Sequence, residues 1–233
     1  MNISLIPSVE HIKEEELKDK VVIVIDVLRA TSVIVTALAN GAKEVIPVLE
    51  IEDALELKSD MELLGGERKG LKIDGFDLSN SPLEYTREMV EGRSIIMTTT
   101  NGTRALHKAK EGDKIYIGAV INGVSAAKKA SDEKKDMAII CAGTYGKFSL
   151  DDFLCAGKII YEVLKRGEYE LDDFAAAAYM AYRDNKHDLI SYVKMAKHCK
   201  YLISIGLEED IKYCFTEDIA DVVPEYRDGV IKL

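Results

Sequence analysis

VVIVIDVLRATSVIVTALA, residues 21 to 39, decides the fold. Its first six residues are nearly all apolar and β-branched, the composition of a strand covered on both faces of a sheet. Helical spacing follows from Thr31 to about Ala39, with Gly41 placed to stop the helix. Between strand and helix lies the polar turn DVLRATS. A buried strand feeding a helix through a short turn is half of a βαβ unit, so the remainder of the chain should supply parallel partners.

It does so repeatedly. EVIPVL (44–49) reads as a strand that Pro47 pushes toward an edge or a bulge. IEDALELKSD reads as a helix and MELLGG as a short strand. ERKGLKIDGFDLSNS follows as a long polar loop of the kind that often carries function. Ser81, Pro82 and Glu84 combine the signals of a capping box with proline at the first helical position. RSIIMT, KIYIGA and MAIICA read as strands; GTRALHKAK, GVSAAKKA and LDDFLCAGKIIYEVLKRG read as helices, the last capped by Ser149 and Asp152. Helical pattern dominates from Leu171 to about Ile211, and the tail IADVVPEYRDGVIKL can add closing strands. The expectation is a three-layer α/β/α fold with a largely parallel or mixed sheet. It would form a single domain over residues 1–233 or two closely packed lobes.

Bulk composition narrows the function. Hydrophobic residues make up 47% and charged residues 31%, an ordinary globular balance. No apolar run approaches a membrane span, and the N-terminus has no basic region leading into an apolar one, so a cytoplasmic chain without a membrane partner is expected. A formal net charge of −10 argues against nucleic acid. A homo-oligomer is compatible with this composition. Cys141, Cys155, Cys199 and Cys214 lack zinc spacing and read as reduced, mostly buried thiols, with Cys141 at a strand end. His11, His107, His187 and His198 fall on patterned helical or surface stretches and read as surface residues. The phosphate-loop, dinucleotide, nucleophile-elbow and zinc-protease motifs are all absent.

Three strand–turn–helix passages resemble one another: VVIVID-VLRATS, SIIMT-TTNGT and MAIIC-AGTYGKFSLD. In open α/β sheets ligands bind beyond the C-terminal strand ends, where helix N-termini favour oxyanions. Thr98, Thr99, Thr100, Asn101, Gly102 and Thr103 read as a neutral oxyanion cradle, since capping alone needs only one such residue. Asp26, closing a buried strand, must meet a cation or shift its pKa, because a buried unpaired carboxylate costs several kcal/mol. Either Arg29 pairs with it, or Asp26 holds a metal while Arg29 forks onto a phosphate or carboxylate. Thr31 and Ser32 would cap the helix and donate to the anion. Glu67 and Asp77, from GGE and the polar loop, are hard-oxygen candidates for Mg²⁺, with Asp152 a weaker one.

Taken together, IDVLRATS, GGERKG, GFDLSNSP, TTTNGTRAL, CAGTYGKFSLDDFLCAGKI and SIGLEEDIKYCFTEDIADVVP resemble the 2-phosphosulfolactate phosphatase family of the coenzyme M route. The likeness runs from about residue 3 to residue 230, with Ser79 standing where the family motif usually has glycine. It implies a Mg²⁺-dependent phosphatase that releases phosphate from a small anionic phosphomonoester, 2-phosphosulfolactate. Asp26 and Arg29 would be catalytic. Asn80 and Ser81 would bind substrate together with Thr31, Ser32, Thr99, Thr100, Asn101, Gly102 and Thr103. Attack by a water on the metal and attack by Asp26 itself, forming an aspartyl phosphate, both fit. Another 2-phospho-hydroxy acid as substrate, and a non-catalytic anion-binding protein, are the competing readings.

Overall fold

A computed structural model describes residues 1–233. In chain order the elements are β1 (Asn2–Ile6), β2 (Val21–Ile25), α1 (Ala30–Ala39), β3 (Glu44–Pro47), α2 (Ile51–Leu57), β4 (Glu62–Arg68) and β5 (Leu71–Lys72). They continue with α3 (Arg87–Val90), β6 (Ser94–Thr98), α4 (Gly102–Lys108), β7 (Lys114–Gly118), α5 (Gly123–Asp132), β8 (Met137–Cys141) and α6 (Leu150–Leu164). The C-terminal third holds β9 (Glu170–Leu171), α7 (Asp173–Asn185), α8 (Leu189–Val193), α9 (Lys197–Ser204), α10 (Glu208–Cys214), β10 (Glu225–Arg227) and β11 (Val230–Lys232).

The strands form one mixed sheet in the order β5-β4-β6-β3-β11-β10-β7-β2-β8-β1-β9. Two parallel runs, β4-β6-β3 and β7-β2-β8-β1-β9, are joined by the antiparallel C-terminal hairpin β10–β11. The tail thus adds closing strands as the sequence allowed, two of them. Strand alternation sorts the core into layers. Val21, Ile23 and Ile25 pack with α5 to α10, while Val22 and Val24 pack with α1 and α4 on the opposite face. The α/β/α layering follows from that alternation.

Local readings differ from the structure in four places. β3 is interior, between β6 and β11, and not an edge strand. Pro47 is tolerated because it is the last residue of the strand, and Val48 resumes the ladder by donating to Met97 O. The long polar loop is partly ordered as the β4–β5 hairpin, with Glu67 paired to Lys72. Ser81 does not cap the short 3-10 turn at Pro82–Glu84; its hydroxyl donates to Asp210, and Glu84 instead accepts from the amide and hydroxyl of Ser79. Ser79 has no positive φ, so serine is accommodated there without strain. Ser149 and Asp152 likewise do not cap α6: Ser149 Oγ donates to Asp151, and Asp152 accepts from Val27 N and Gly143 N, both at 2.9 Å. β1 and β9, which the sequence pattern did not single out, complete the edge beyond β8.

α6 and α7 pack closely, and a Cβ on Gly157 would lie 2.1 Å from Ala178 O and 2.8 Å from Tyr182 Cβ. Intrinsic propensity alone would make Gly157→Ala stabilising by about 1 kcal/mol. Overpacking against fixed backbone outweighs it, so the variant should lose about 1–3 kcal/mol in a urea melt. A more stable variant would contradict this packing.

Candidate active site

The turns after β2, β6 and β8 and the end of β4 meet around one cavity of about 550 Å³. In hydrogen-bonding order β6 and β2 stand five strand spacings apart, roughly 24 Å in a flat sheet. Gly102 lies only four residues past Thr98, yet a Cβ there would sit 2.8 Å from Asp26 Oδ2 and 2.7 Å from Ala30 Cβ. The sheet must therefore curl, and glycine is needed where α4 starts against the end of β2.

Asp26 is 7% exposed and lines the cavity. Burial pushes its carboxyl up to about 7; a positive His198 works against this, the charges of Glu67 and Asp151 add to it, and the Ala30 N–H partly offsets it. No lysine or arginine pairs with it. Arg29, which the sequence offered as its partner or as a phosphate fork, turns away. One terminal nitrogen pairs with buried Asp210 on α10 and the other donates to Gly70 O at 2.7 Å. Ser81 Oγ donates to the second oxygen of Asp210 at 2.6 Å. Arg29 still borders the cavity, fixed by these bonds.

Glu67 reaches the same cavity because two glycines precede it. A side chain on Gly65 would collide with the Tyr85 hydroxyl and one on Gly66 with Thr98 O, so only glycines let β4 lie this close to β6. Glu67 Oε1 then accepts from both the amide and the hydroxyl of Thr100, at 2.8 Å each, and Oε2 accepts from Gly70 N at 2.6 Å. The threonine turn is thus an oxyanion holder, but the oxyanion at Thr100 is the carboxylate of Glu67.

The other threonines are committed too. Thr98 Oγ1 donates to Leu49 O and accepts from Arg68, while Thr99 and Thr103 bond each other across the first turn of α4. Thr31 Oγ1 accepts from Asp26 N, and Ser32 Oγ donates to Val27 O. Thr31, Ser32, Ser81, Thr99, Gly102 and Thr103 do not line the cavity, so their parts are structural, shaping the turns that carry Asp26, Asp210 and Thr100. Asp77 is also removed from the candidate metal set. It is held at the surface by Lys58 Nζ and Leu64 N, both at 2.8 Å. Asn80, Thr100 and Asn101 do face the cavity. Asn80 is 4% exposed, and its Oδ1 is the single buried side-chain polar atom in the chain without a hydrogen-bond partner. An orphaned group of this kind requires an explanation, and a bound ligand or water supplies one.

Four basic cavity residues escaped the sequence reading: Lys69, Lys147, Lys197 and His198. The lysines make no ion pair within 4.0 Å, so a chain of net charge −10 presents three free ammonium groups at this one opening. Lys69 and Tyr145, both on the cavity wall, have left-handed φ of 53° and 51°, a backbone cost often found at functional sites. His198 is not a surface residue: its ring is 19% exposed and its Nδ1 lies 3.1 Å from Asp151 Oδ2. Sequence spacing gave no sign of this, since α9 and α6 are 47 residues apart at that contact. All four cysteines are free and buried; burial raises the Cys141 thiol well above its ordinary value, which leaves it inert.

No three His, Cys, Asp or Glu side chains close into a metal cage. Mg²⁺ does not require one, since it commonly takes one or two carboxylates and keeps waters and substrate oxygens. Buried Asp26 without a cation, Glu67 beside it and the orphaned Asn80 oxygen make a hard-oxygen wall that suits such an ion.

A family model described as 2-phosphosulpholactate phosphatase matches residues 6–229. A protein of Clostridium novyi (strain NT) is 54% identical over 230 residues, covering 97% of each chain; one from Clostridium tetani (strain Massachusetts / E88) is 52% identical over the full length of both. A third, from Clostridium beijerinckii, is 52% identical over 99% of each. All three carry the name "Probable 2-phosphosulfolactate phosphatase". With the motifs, the fold and the likeness extending over the whole length, the chain belongs to the 2-phosphosulpholactate phosphatase family.

Proposed function

We propose that this protein is a Mg²⁺-dependent phosphatase that hydrolyses 2-phosphosulfolactate to sulfolactate and phosphate. The observation that carries the reading is the charge arrangement of a single cavity. Two buried carboxylates, Asp26 and Glu67, stand at its floor, and the unpaired Lys69, Lys147 and Lys197 stand on its walls. A plain anion-binding protein gains nothing from burying carboxylates beside its anion. A phosphatase that gathers a divalent cation does.

The substrate carries a phosphoryl dianion, a sulfonate and a carboxylate. Three separate ammonium groups match that count, and low-dielectric walls such as Leu28, Leu150 and Leu202 strengthen their attraction. Asp26, Glu67 and the Asn80 oxygen would hold Mg²⁺. When bound, the ion draws charge from the phosphoryl oxygens and makes phosphorus more open to attack. The chain's own residues orient and neutralise. Arg29, fixed by Asp210 and Gly70, places a permanent positive charge beside the floor. Asn101, whose Oδ1 accepts from Tyr145 N at 3.1 Å, is oriented with its amide nitrogen free of any protein partner.

Phosphate release from a panel of 2-phospho-hydroxy acids, with Mg²⁺ and with chelator, tests the reading. The sulfonated substrate should be turned over fastest, and only with the cation. A sulfur-free 2-phospho acid turned over faster would reassign the substrate; no release from any member would reject the phosphatase.

Metal binding has a test that needs no turnover. Excess Mg²⁺ should raise the wild-type melting temperature by several °C, at roughly 2–4 °C per kcal/mol for a chain of this size. Asp26→Asn and Glu67→Gln should abolish that rise. The Asp26 carboxyl is raised to about 7 from 3.8, so its contribution to stability is present at low pH and lost as pH rises through 7. Without metal, Asp26→Asn should therefore melt higher than wild type at pH 8, with the gap narrowing as pH falls below 7 and closing only below about pH 4. Equal Mg²⁺ shifts in wild type and variant would remove Asp26 from the metal site.

Gly102→Ala would press a methyl group on the Asp26 carboxylate. It should lower kcat/KM at least tenfold and destabilise the fold by about 1–3 kcal/mol, as overpacking does. A variant with normal turnover and normal stability would mean that α4 can shift freely here, against the packing described.

A further inference from the structure

We infer that His198 is the general acid of the reaction, giving a proton from Nε2 to the departing ester oxygen, with Asp151 as the residue that positions it. The inference rests on the phosphatase reading above. Its basis is a hydrogen-bonded relay that begins in the loop after β8 and ends at the cavity. Thr144 Oγ1 and Ser149 Oγ are 3.1 Å apart, Ser149 Oγ donates to one oxygen of Asp151, and the other oxygen meets His198 Nδ1 at 3.1 Å. Asp151 is buried, with its side chain 2% exposed. A buried carboxylate in this position fixes the proton of the ring on Nδ1 and the orientation of the imidazole. Nε2 is left with no protein partner, on a ring that lines the cavity together with Asp26.

A purely structural histidine would spend both ring nitrogens on protein groups, or sit away from the cavity. His198 does neither. The groups whose charges act on it are Asp151 on α6 and Asp26 and Arg29 in the turn after β2. Burial opposes its positive form, but the hydrogen bond and charge of Asp151, helped by Asp26, outweigh burial and Arg29 and raise its pKa above the ordinary histidine value. That shift favours the protonated ring, the form a general acid must take.

The chemistry asks for such a group. The leaving oxygen of a 2-phospho-hydroxy acid is an alkoxide, a poor leaving group unless it is protonated as the P–O bond breaks. In the balanced step, water oxygen bonds to phosphorus, the P–O ester bond breaks, and its electron pair takes the Nε2 proton to give the 2-hydroxyl. One proton of the attacking water stays on the phosphate; the other passes through solvent to return His198 to its starting form.

Leaving-group dependence tests this, because an acid matters only where the leaving oxygen needs a proton. Wild type, His198→Gln and Asp151→Asn are compared on 2-phosphosulfolactate and on a series of aryl phosphates ending at p-nitrophenyl phosphate, with melting curves alongside. His198→Gln should lower kcat on the alkyl ester by about 100-fold or more, with KM little changed, and lower it less than fivefold on p-nitrophenyl phosphate. Asp151→Asn should show a smaller loss in kcat with the same preference for good leaving groups, and it carries the test if His198→Gln does not fold. Equal losses on all leaving groups, or a rise in KM alone, would overturn the role and make His198 an anion-binding residue. A wild type that releases no phosphate from any ester would overturn the phosphatase reading instead, while an active wild type matched by His198→Gln would overturn this inference alone.

Discussion

A carboxylate buried at the end of an apolar strand, with no cation of its own, is the constraint on which the site depends. Asp26 follows β2, an interior strand of the longer parallel run whose five residues are all apolar and buried. It is largely buried, and the nearest arginine in sequence is drawn off to Asp210. The structure around it keeps the carboxylate in place. Asp26 N donates to Thr31, α4 begins on a glycine that leaves no room for a side chain beside its oxygen, and Asp152 grips the next residue's amide. The carboxyl raised to about 7 is thus left as a titratable group on the cavity wall with no lysine or arginine paired to it.

The acidic residues near it have separate duties. Asp152 ties Val27 in the β2 turn to Gly143 in the β8 turn, with burial raising its own pKa well above the ordinary value. Asp151, its neighbour on the same helix, orients His198. Asp210 fixes Arg29 and receives Ser81. Glu67 takes up the amides of Thr100 and Gly70, which joins the β4 hairpin to the threonine turn. All four carboxylates hold other groups in position, and the cavity owes its geometry to them. This division explains why a chain of net charge −10 can still present a cationic opening: its buried acids are spent inward, and three lysines remain unpaired at the rim.

Curling of the sheet makes the encounter possible. The antiparallel hairpin at the C-terminus touches β7 and β3 through single registered pairs, Glu225 with Tyr116 and Ile231 with Val45. Such a short hinge between two parallel runs permits strong coiling, which a continuous parallel ladder of the same width would resist. The last eight or so residues of the chain therefore act on a site to which they contribute no side chain.

Much of this was legible in the sequence, wherever the deciding physics is local. Apolar β-branched runs named the strands, 3.6-residue spacing named the helices, and their alternation gave the three-layer fold. The same local logic marked Asp26, since a carboxylate at the end of VVIVI must be explained, and Glu67 after its two glycines. Distances across the fold were not legible. TTTNGT shows hydroxyls and amides in a turn, but only the approach of β4 reveals that Thr100 serves Glu67. DVLR places Arg29 three residues from Asp26, yet a buried aspartate 181 residues later claims it. Asp77, in sequence a weaker candidate than Glu67, is held by Lys58 instead. His198 has ordinary helical surroundings in sequence and becomes a candidate acid only because α9 packs its ring against Asp151 at the cavity edge. Periodicity and burial are properties of neighbouring residues, and the chain carries them in one dimension. Charge pairing depends on which side chains arrive within about 3 Å of one another, and that was decided only when the sheet curled and the C-terminal helices closed over it.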